Sequence, residues 1–349
     1  MHGDTDMSLE NEKQACLKHN QLSDDEEEED IPWLLGFVEP PIRNTDLLRH
    51  RFPSKVGGRP AWLNPIHLPS TESLAGMKFL LQVYAPVDEN PRAFHRTVFV
   101  FISVDGKKVS QSSDGVRAMR CQLPRRNEYY DFEPPEEGDD ANRQGPRPID
   151  TANTIRDPWN AAQHEQAVMA PGQQEAPCSI ALFPEFEIVI EDEPIQDIPM
   201  ESLRIKAEES NVSEKYTEEE LPSDLINQIE ETMPEEQKHF ASFAARTSLS
   251  PSQILRYCFE EGVKPLCPSP AGIPDPSSIP PCPHCQGPRR FEFQIMPQLL
   301  NNLDVDPSDN NNPDWGAIVI YSCAASCDVA GYVDEYVWVQ PPYDCMTQE

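Results

Sequence analysis

Residues 281–300, PCPHCQGPRRFEFQIMPQLL, place two cysteines three positions apart, directly before a stretch in which apolar and polar side chains alternate. This alternation predicts a strand from Arg289 to Pro297. A polar connection follows, and residues 316–322 (GAIVIYS) have the composition of a second strand. We expect the two strands to pair as an antiparallel hairpin.

The predicted hairpin determines where the cysteines meet. Cys282 and Cys285 precede its first strand, and Cys323 and Cys327 follow its second strand. Antiparallel pairing therefore brings both pairs to one end of the hairpin. Four thiolates form the donor set of a tetrahedral zinc ion, with Zn–S distances of about 2.3 Å. Because the protein supplies all four ligands, water has no coordination position, and the predicted zinc site is structural.

Other interpretations of these cysteines remain open at this point. A redox dithiol is disfavoured, because Cys285 begins no helix that would lower the pKa of a cysteine. The cysteines could also be buried thiols without a metal ion. Within the zinc interpretation, the ligand set could include His284, Cys267 or Cys345 in place of one of the four cysteines.

Further strands are predicted from short runs rich in Val, Ile, Phe and Tyr. Residues 77–85 (MKFLLQVYA) and 94–102 (FHRTVFVFI) flank a turn-forming Asp-Glu-Asn-Pro sequence, so they form a predicted hairpin. Residues 183–190 and 336–339 add two more strands, and 120–130 another ordered piece.

Helices are predicted between the strand-rich parts. Residues 217–233 carry apolar side chains at helical spacing, and residues 235–246 continue the pattern after Pro234. Ser250 and Pro251 resemble an N-cap and a first helical residue, which predicts a third helix through Cys258. The apolar stripes of these helices are expected to be core.

Together these patterns predict an α+β, mainly β protein. Residues 1–30 form an acidic disordered tail, 31–130 an N-terminal strand-rich half, 131–177 a disordered insertion, and 178–349 a C-terminal domain with the helical segment and the zinc-fastened hairpin. The 37 prolines and the mean hydropathy of −0.59 agree with long segments outside any core. We expect the two halves to pack as one body and the protein to be a monomer.

The charge of the chain restricts its partners. The formal net charge is −32, and residues 24–30 are seven consecutive acids. Such a field repels phosphate backbones and attracts basic proteins, so no direct nucleic-acid binding is expected. No apolar run approaches the roughly 20 residues of a membrane span, and no signal-peptide pattern begins the chain. We expect a soluble cytoplasmic protein, with entry into the nucleus left open.

Sequence motifs of common enzymes are missing. The chain has no phosphate-binding glycine-rich loop, no GxSxG and no HExxH. His95 lies inside a strongly patterned strand, where a structural histidine is expected. We therefore expect a protein that is not an enzyme.

Several stretches resemble the programmed cell death protein 2 family. In the C-terminal part they are PCPHCQGPRRFEFQIMPQLLNNLDVD at 281–306, DWGAIVIYSCAASC at 314–327, YVDEYVWVQ at 332–340 and FASFAARTSLSPSQILRY at 240–257. In the N-terminal part WLLGFVEP, GGRPAWL, MKFLLQVYAPVDENPRAFHRTVFVFIS and CQLPRRNEYY occur in the family's order. Family members commonly carry further cysteines near positions equivalent to 69–73 and 102–104, where this chain has none. On this feature it resembles the finger-less branch, which includes the fungal and programmed cell death protein 2-like ribosome-assembly factors.

The resemblance implies a function in making the small ribosomal subunit, including rRNA maturation. Family members are similar to dedicated chaperones that escort one newly made basic ribosomal protein, the Arg/Gly-tailed protein of the mRNA entry channel, and some travel with pre-40S particles. Two alternatives from the residues alone are a zinc-ribbon nucleic-acid-binding protein, suggested by Arg289 and Arg290 beside the cysteines, and a generic acidic scaffold of the histone-chaperone type.

Overall fold

A computed structural model describes residues 32–70, 72–130, 182–194, 235–305, 309 and 311–342. The predicted acidic tail 1–30, the predicted insertion 131–177 and the predicted helix 217–233 lie outside the described residues.

Antiparallel strands account for most regular structure in the described part of the chain. The strands are β1 Leu34–Glu39, β2 Lys55–Val56, β3 Met77–Tyr84, β4 His95–Ser103, β5 Val116–Leu123, β6 Phe186–Asp192, β7 Leu255–Tyr257, β8 Arg289–Ile295, β9 Ala317–Cys323 and β10 Tyr332–Gln340. The α-helices are α1 Gly106–Gln111 and α2 Glu235–Ser248. Short 3-10 helices span Asn44–Leu47, Arg49–Arg51, Glu72–Leu74, Ser113–Gly115, Pro276–Ser278 and Pro297–Asn302. The predicted mainly β character is confirmed.

The ten described strands close into one barrel, in the order β1-β6-β2-β3-β4-β5-β10-β9-β8-β7. Strand β10 pairs with two neighbouring strands along different parts of its length. Its residues 332–335 pair with β5, and its residues 336–340 pair with β9. Closure satisfies the backbone groups that an edge strand would leave unpaired.

Both predicted hairpins are present. In the first, β3 and β4 pair antiparallel with Tyr84 opposite Thr97. In the second, β8 and β9 pair antiparallel with Arg289 opposite Cys323. The second register brings the ends of the strands that carry the cysteines next to each other.

The helix predictions had two outcomes. The helix predicted for residues 235–246 is confirmed as α2. The helix predicted from Ser250 through Cys258 is wrong, because residues 255–257 form β7 and pair with β1 and β8. The Ser-Pro signature is a local signal of about 1 kcal/mol. Burial of Ile254 and Leu255 in the barrel core and two strand pairings outweigh it.

Side chains of the central strands alternate between two apolar clusters. On β4, Val98, Val100 and Ile102 belong to the main core. The intervening Phe99 and Phe101 belong to a second cluster, where they pack against Trp62. Because both faces of β4 are buried, its residues 98–102 are all apolar.

The core becomes polar toward one end of the barrel. Arg96, Arg120 and Glu335 each stand two positions from a core residue on the same strand, and therefore on the same face. All three are buried, as is Glu292. This end is also where β9 ends and β8 begins.

Within the described residues, no helix has the length and apolar composition that crossing a membrane requires.

Candidate metal centre

The four cysteines predicted as zinc ligands lie together in the structure. The Sγ atoms of Cys282, Cys285, Cys323 and Cys327 are all within 4.8 Å of one another. The Sγ of Cys282 lies 3.7 Å from that of Cys327, and the Sγ of Cys285 lies 3.6 Å from that of Cys323. A tetrahedral zinc ion with Zn–S bonds of about 2.3 Å separates its sulfurs by about 3.8 Å. The donor type, number and spacing therefore fit a structural zinc ion.

Two tight turns present the sulfurs. In the first, the N–H of Gln286 donates to the carbonyl of Cys282, and the N–H of Cys282 donates to the carbonyl of Gly287, both at 2.9 Å. Gln286 has a φ of 60°, a left-handed conformation that is uncommon for residues other than glycine and typical of tight turns. In the second turn, the N–H of Ser326 donates to the carbonyl of Cys323 at 2.9 Å.

The cysteines differ in their proton affinity. Burial alone would raise the pKa of Cys282, but hydrogen bonds from the N–H groups of Cys285 and His284 and from neighbouring thiols outweigh burial and lower this pKa to about 7. Burial raises the pKa of Cys323 and, together with the neighbouring sulfurs, raises the pKa of Cys327 to about 12. Four thiols this close cannot all ionise without a cation, whereas a metal ion binds thiolates.

A buried arginine from β5 lies against the second turn. The Nη2 of Arg120 is 3.8 Å from the Sγ of Cys327, and its Nη1 donates to the carbonyl of Cys327 at 3.2 Å. The Nε2 of Gln122 donates to the carbonyl of Ser326 at 3.0 Å. A cationic donor beside a thiolate offsets part of the negative charge of a four-thiolate centre.

Glu335 on β10 connects the surrounding groups. Its Oε1 accepts from the Nε of Arg120 at 2.7 Å. Its Oε2 accepts from the Nε of Arg289 at 3.1 Å and from the N–H of Cys323 at 3.2 Å. The carboxylate therefore orients one ligand residue directly and two arginines around the centre.

The alternative ligands are placed differently. Neither His284 nor Cys267 belongs to the group of four, and Cys267 packs in an apolar cluster. Cys345 lies outside the described residues. Burial raises the pKa of Cys267 to about 12, which disfavours its thiolate.

The basic pair beside the cysteines is engaged within the protein. Arg289 is bound by Glu335, and its Nη2 donates to the carbonyl of Asp334 at 3.0 Å. The guanidinium of Arg290 stacks over the ring of Phe259 at 3.7 Å. Both side chains therefore make contacts within the protein. The zinc-ribbon interpretation is weakened, because it required these two arginines to bind phosphate groups.

His95 lies in an aromatic cluster. Its ring stacks on Phe52 at 4.2 Å between centroids, and its Nδ1 is 3.2 Å from the Oη of Tyr84. Burial, with the charge of Arg125, lowers the pKa of His95 to about 4. A neutral imidazole packed among aromatic rings fits the structural role expected for this histidine.

The residues around the cysteines were not predicted from the sequence, although a signal was present. Arg120 lies between Met119 and Cys121, Glu292 lies between Phe291 and Phe293, and both charged residues are buried. Charged residues are rarely buried unless they are paired. A charge inside an apolar run therefore marks a buried ion pair, but its partner cannot be identified by local pattern.

The fold and the site define a mainly β barrel protein with a four-cysteine centre able to hold a metal ion. The family model for the programmed cell death protein 2 N-terminal domain matches residues 32–137, and the model for the C-terminal putative domain matches residues 237–341. The chain belongs to the programmed cell death protein 2 family.

Individual relatives extend this match over most of the chain. Programmed cell death protein 2 of Bos taurus is 36% identical over 347 residues, covering 88% of this chain and 96% of the relative. Programmed cell death protein 2-like of Homo sapiens is 26% identical, covering 85% and 91%. The "Probable 20S rRNA accumulation protein 4" of Schizosaccharomyces pombe is 31% identical over 120 residues, 30% of this chain and 28% of the relative. No solved structure matches the chain.

Proposed function

We propose that this protein acts in ribosome biogenesis as a non-enzymatic escort of one basic small-subunit ribosomal protein, the Arg/Gly-tailed protein of the mRNA entry channel. It would bind this client when newly made, in the cytoplasm, and hold it until assembly into the 40S subunit. Transfer to pre-40S particles and entry into the nucleus belong to the same proposal. A structural zinc ion at the four cysteines would hold part of the fold.

The ribosomal part of the proposal is supported by the family. The relative from Schizosaccharomyces pombe is named for the accumulation of 20S rRNA. That name concerns ribosomal RNA. The resemblance of this chain to the same family implies a function in small-subunit assembly.

The distribution of charge is the observation that carries the escort proposal. Residues 1–31 contain eleven acidic and two basic residues, 131–181 ten and three, and 195–234 eleven and three. The described residues contain 25 acidic and 20 basic residues, so they hold little of the net charge of −32. The acids are thus concentrated in three segments of the sequence, whereas the described residues are nearly neutral. Such segments attract a basic chain and screen it from RNA.

Purification of the tagged chain from cells tests the proposal against its alternatives. One small-subunit ribosomal protein recovered in stoichiometric amount supports the escort function. A mixture of unrelated basic proteins would instead indicate a generic acidic scaffold. Retention of the purified protein on an RNA column at physiological salt would indicate the nucleic-acid-binding alternative.

A charge variant tests the physical basis. Replacing residues 24–30 by Asn and Gln should weaken client binding and flatten its salt dependence, because fewer ionic contacts remain. The control exchanges Asp for Glu and Glu for Asp within 24–30, which keeps the charge and should keep binding. If the neutral variant binds the client as tightly as the parent, with the same salt dependence, these acids do not carry the interaction.

A further inference from the structure

The turn that carries Cys327 is held by residues that are distant in sequence. Gln122 and Arg120 donate from β5 to the carbonyls of Ser326 and Cys327. Asn90, in the turn between β3 and β4, donates to the carbonyl of Ser326 at 3.1 Å. These three donors all come from the N-terminal family domain, whereas all four cysteines belong to the C-terminal one.

The same turn lies near the point where the pairing partner of β10 changes from β5 to β9. The pairing of β10 with β9 begins at Tyr336, and its pairing with β5 covers only residues 332–335. Directly before Tyr336, the carboxylate of Glu335 accepts from the N–H of Cys323 and from Arg120, so it links β9 and β5 through side-chain contacts. The seam between β5 and β10 therefore covers four residue pairs, and two of its side chains, Arg120 and Glu335, also contact the cysteine turn.

We propose that metal binding fastens β5 to β10, with Arg120 and Gln122 acting as positioning residues for the metal-binding turn. A bound ion fixes Cys323 and Cys327 relative to Cys282 and Cys285, which holds the carbonyls of residues 326 and 327 where β5 donates. In return, these donors hold the turn in the conformation that binds metal. The two effects are reciprocal, because one coupling free energy governs both.

Hydrogen exchange of the full chain, with zinc bound and after chelation, tests the coupling without any mutation. Removal of zinc should speed exchange in residues 116–123 and 332–335. The β1–β7 pairing, at residues 34–36 and 255–257, serves as the internal control and should keep its exchange rate. A change confined to the two cysteine turns, 281–287 and 323–327, would overturn the proposal.

Variants test the positioning residues by zinc affinity, measured by competition with a chromogenic chelator. Arg120→Met and Gln122→Ala should each lower the affinity about 10-fold to 100-fold, the usual effect of losing a group that orients ligands. Arg256→Met is the matched control, because Arg256 is equally buried and paired with Glu193, at 2.7 Å, but does not contact the cysteine turns. Its zinc affinity should equal that of the parent.

Gln122→Ala is the milder substitution, so it decides the test if the Arg120→Met protein does not fold. Folded Gln122→Ala protein with the zinc affinity of the parent contradicts the positioning role. The inference concerns the metal centre alone, so its failure leaves the proposed escort function untouched, and the client experiments do not decide it.

Discussion

Arg96 and Glu292 form a fully buried ion pair inside the barrel, although 196 residues separate them in the chain. The Nη2 of Arg96 donates to the Oε2 of Glu292 at 2.8 Å, and neither side chain is exposed to solvent. Ser322 on β9 donates to the same carboxylate. The pair therefore joins β4 of the N-terminal family domain to strands of the C-terminal one, in a place where an unpartnered charge would be costly.

Loss of one partner of this pair should destabilise the fold strongly. Arg96→Met leaves the Glu292 carboxylate buried without its cation, and we expect the free energy of unfolding to fall by about 3–5 kcal/mol. The control Arg92→Met breaks an exposed pair with Asp328 and should cost less than about 1 kcal/mol. Urea unfolding measures both. Equal shifts of the unfolding midpoint in the two variants would contradict the prediction.

Zinc content should depend on the four cysteines and not on Cys267. Cys327→Ser removes one sulfur from the centre, so purified protein should lose its one zinc ion per chain or bind it weakly. Cys267→Ala loses a buried thiol outside the centre and should keep the full zinc content. Elemental analysis of both proteins measures this. Parent protein purified without zinc would show that the centre holds no zinc ion.

Two glycines should differ sharply in their tolerance of a side chain. Gly57 has a φ of 63°, and a Cβ there would lie 1.9 Å from the carbonyl oxygen of Pro184. Gly262 has a φ of 79°, but a Cβ would meet nothing within 4 Å. Gly262→Ala should therefore cost only the left-handed strain of about 1–2 kcal/mol. Gly57→Ala should cost clearly more, because the clash with backbone adds to this strain.

Thermal unfolding of both alanine variants measures the difference. Similar melting temperatures for the two would show that the chain around Pro184 moves away from β2 without cost.

His95 should make the fold sensitive to mild acid. Its pKa is about 4 in the folded protein, against about 6.5 when unfolded, so the unfolded chain binds more protons between these values. The stability that the neutral imidazole contributes is complete above pH 6.5 and is lost as the pH falls toward 4, by about 3 kcal/mol.

Comparison of pH profiles isolates this histidine from the carboxylates that titrate in the same range. His95→Gln should have a flatter dependence of unfolding free energy on pH between 4 and 6.5 than the parent. The control His67→Gln makes the same substitution at an exposed histidine and provides the reference for the exchange itself. A His95→Gln profile parallel to that of the parent would exclude the buried imidazole as the cause.

Local sequence patterns predicted the strands in which apolar and polar residues alternate clearly. They failed where pairing with a distant strand decides the secondary structure. Strands β3, β4, β8 and β9 were predictable because period-two alternation and apolar runs reflect burial on a sheet. The stretch around Leu255 was predicted as a helix, since an N-cap signal is visible in sequence whereas pairing with β1, more than 200 residues earlier, is not.

The sequence by itself determined the two cysteine pairs, their attachment to the ends of one hairpin, and the concentration of acids in three segments. These features depend on residue type and short spacing, which the chain order specifies directly. Only the tertiary structure decided that the barrel closes through β5 and β10, and that Arg120, Gln122 and Glu335 surround the sulfurs. Such contacts join residues about 200 positions apart, and they form because buried charges must find partners once the apolar strands have packed.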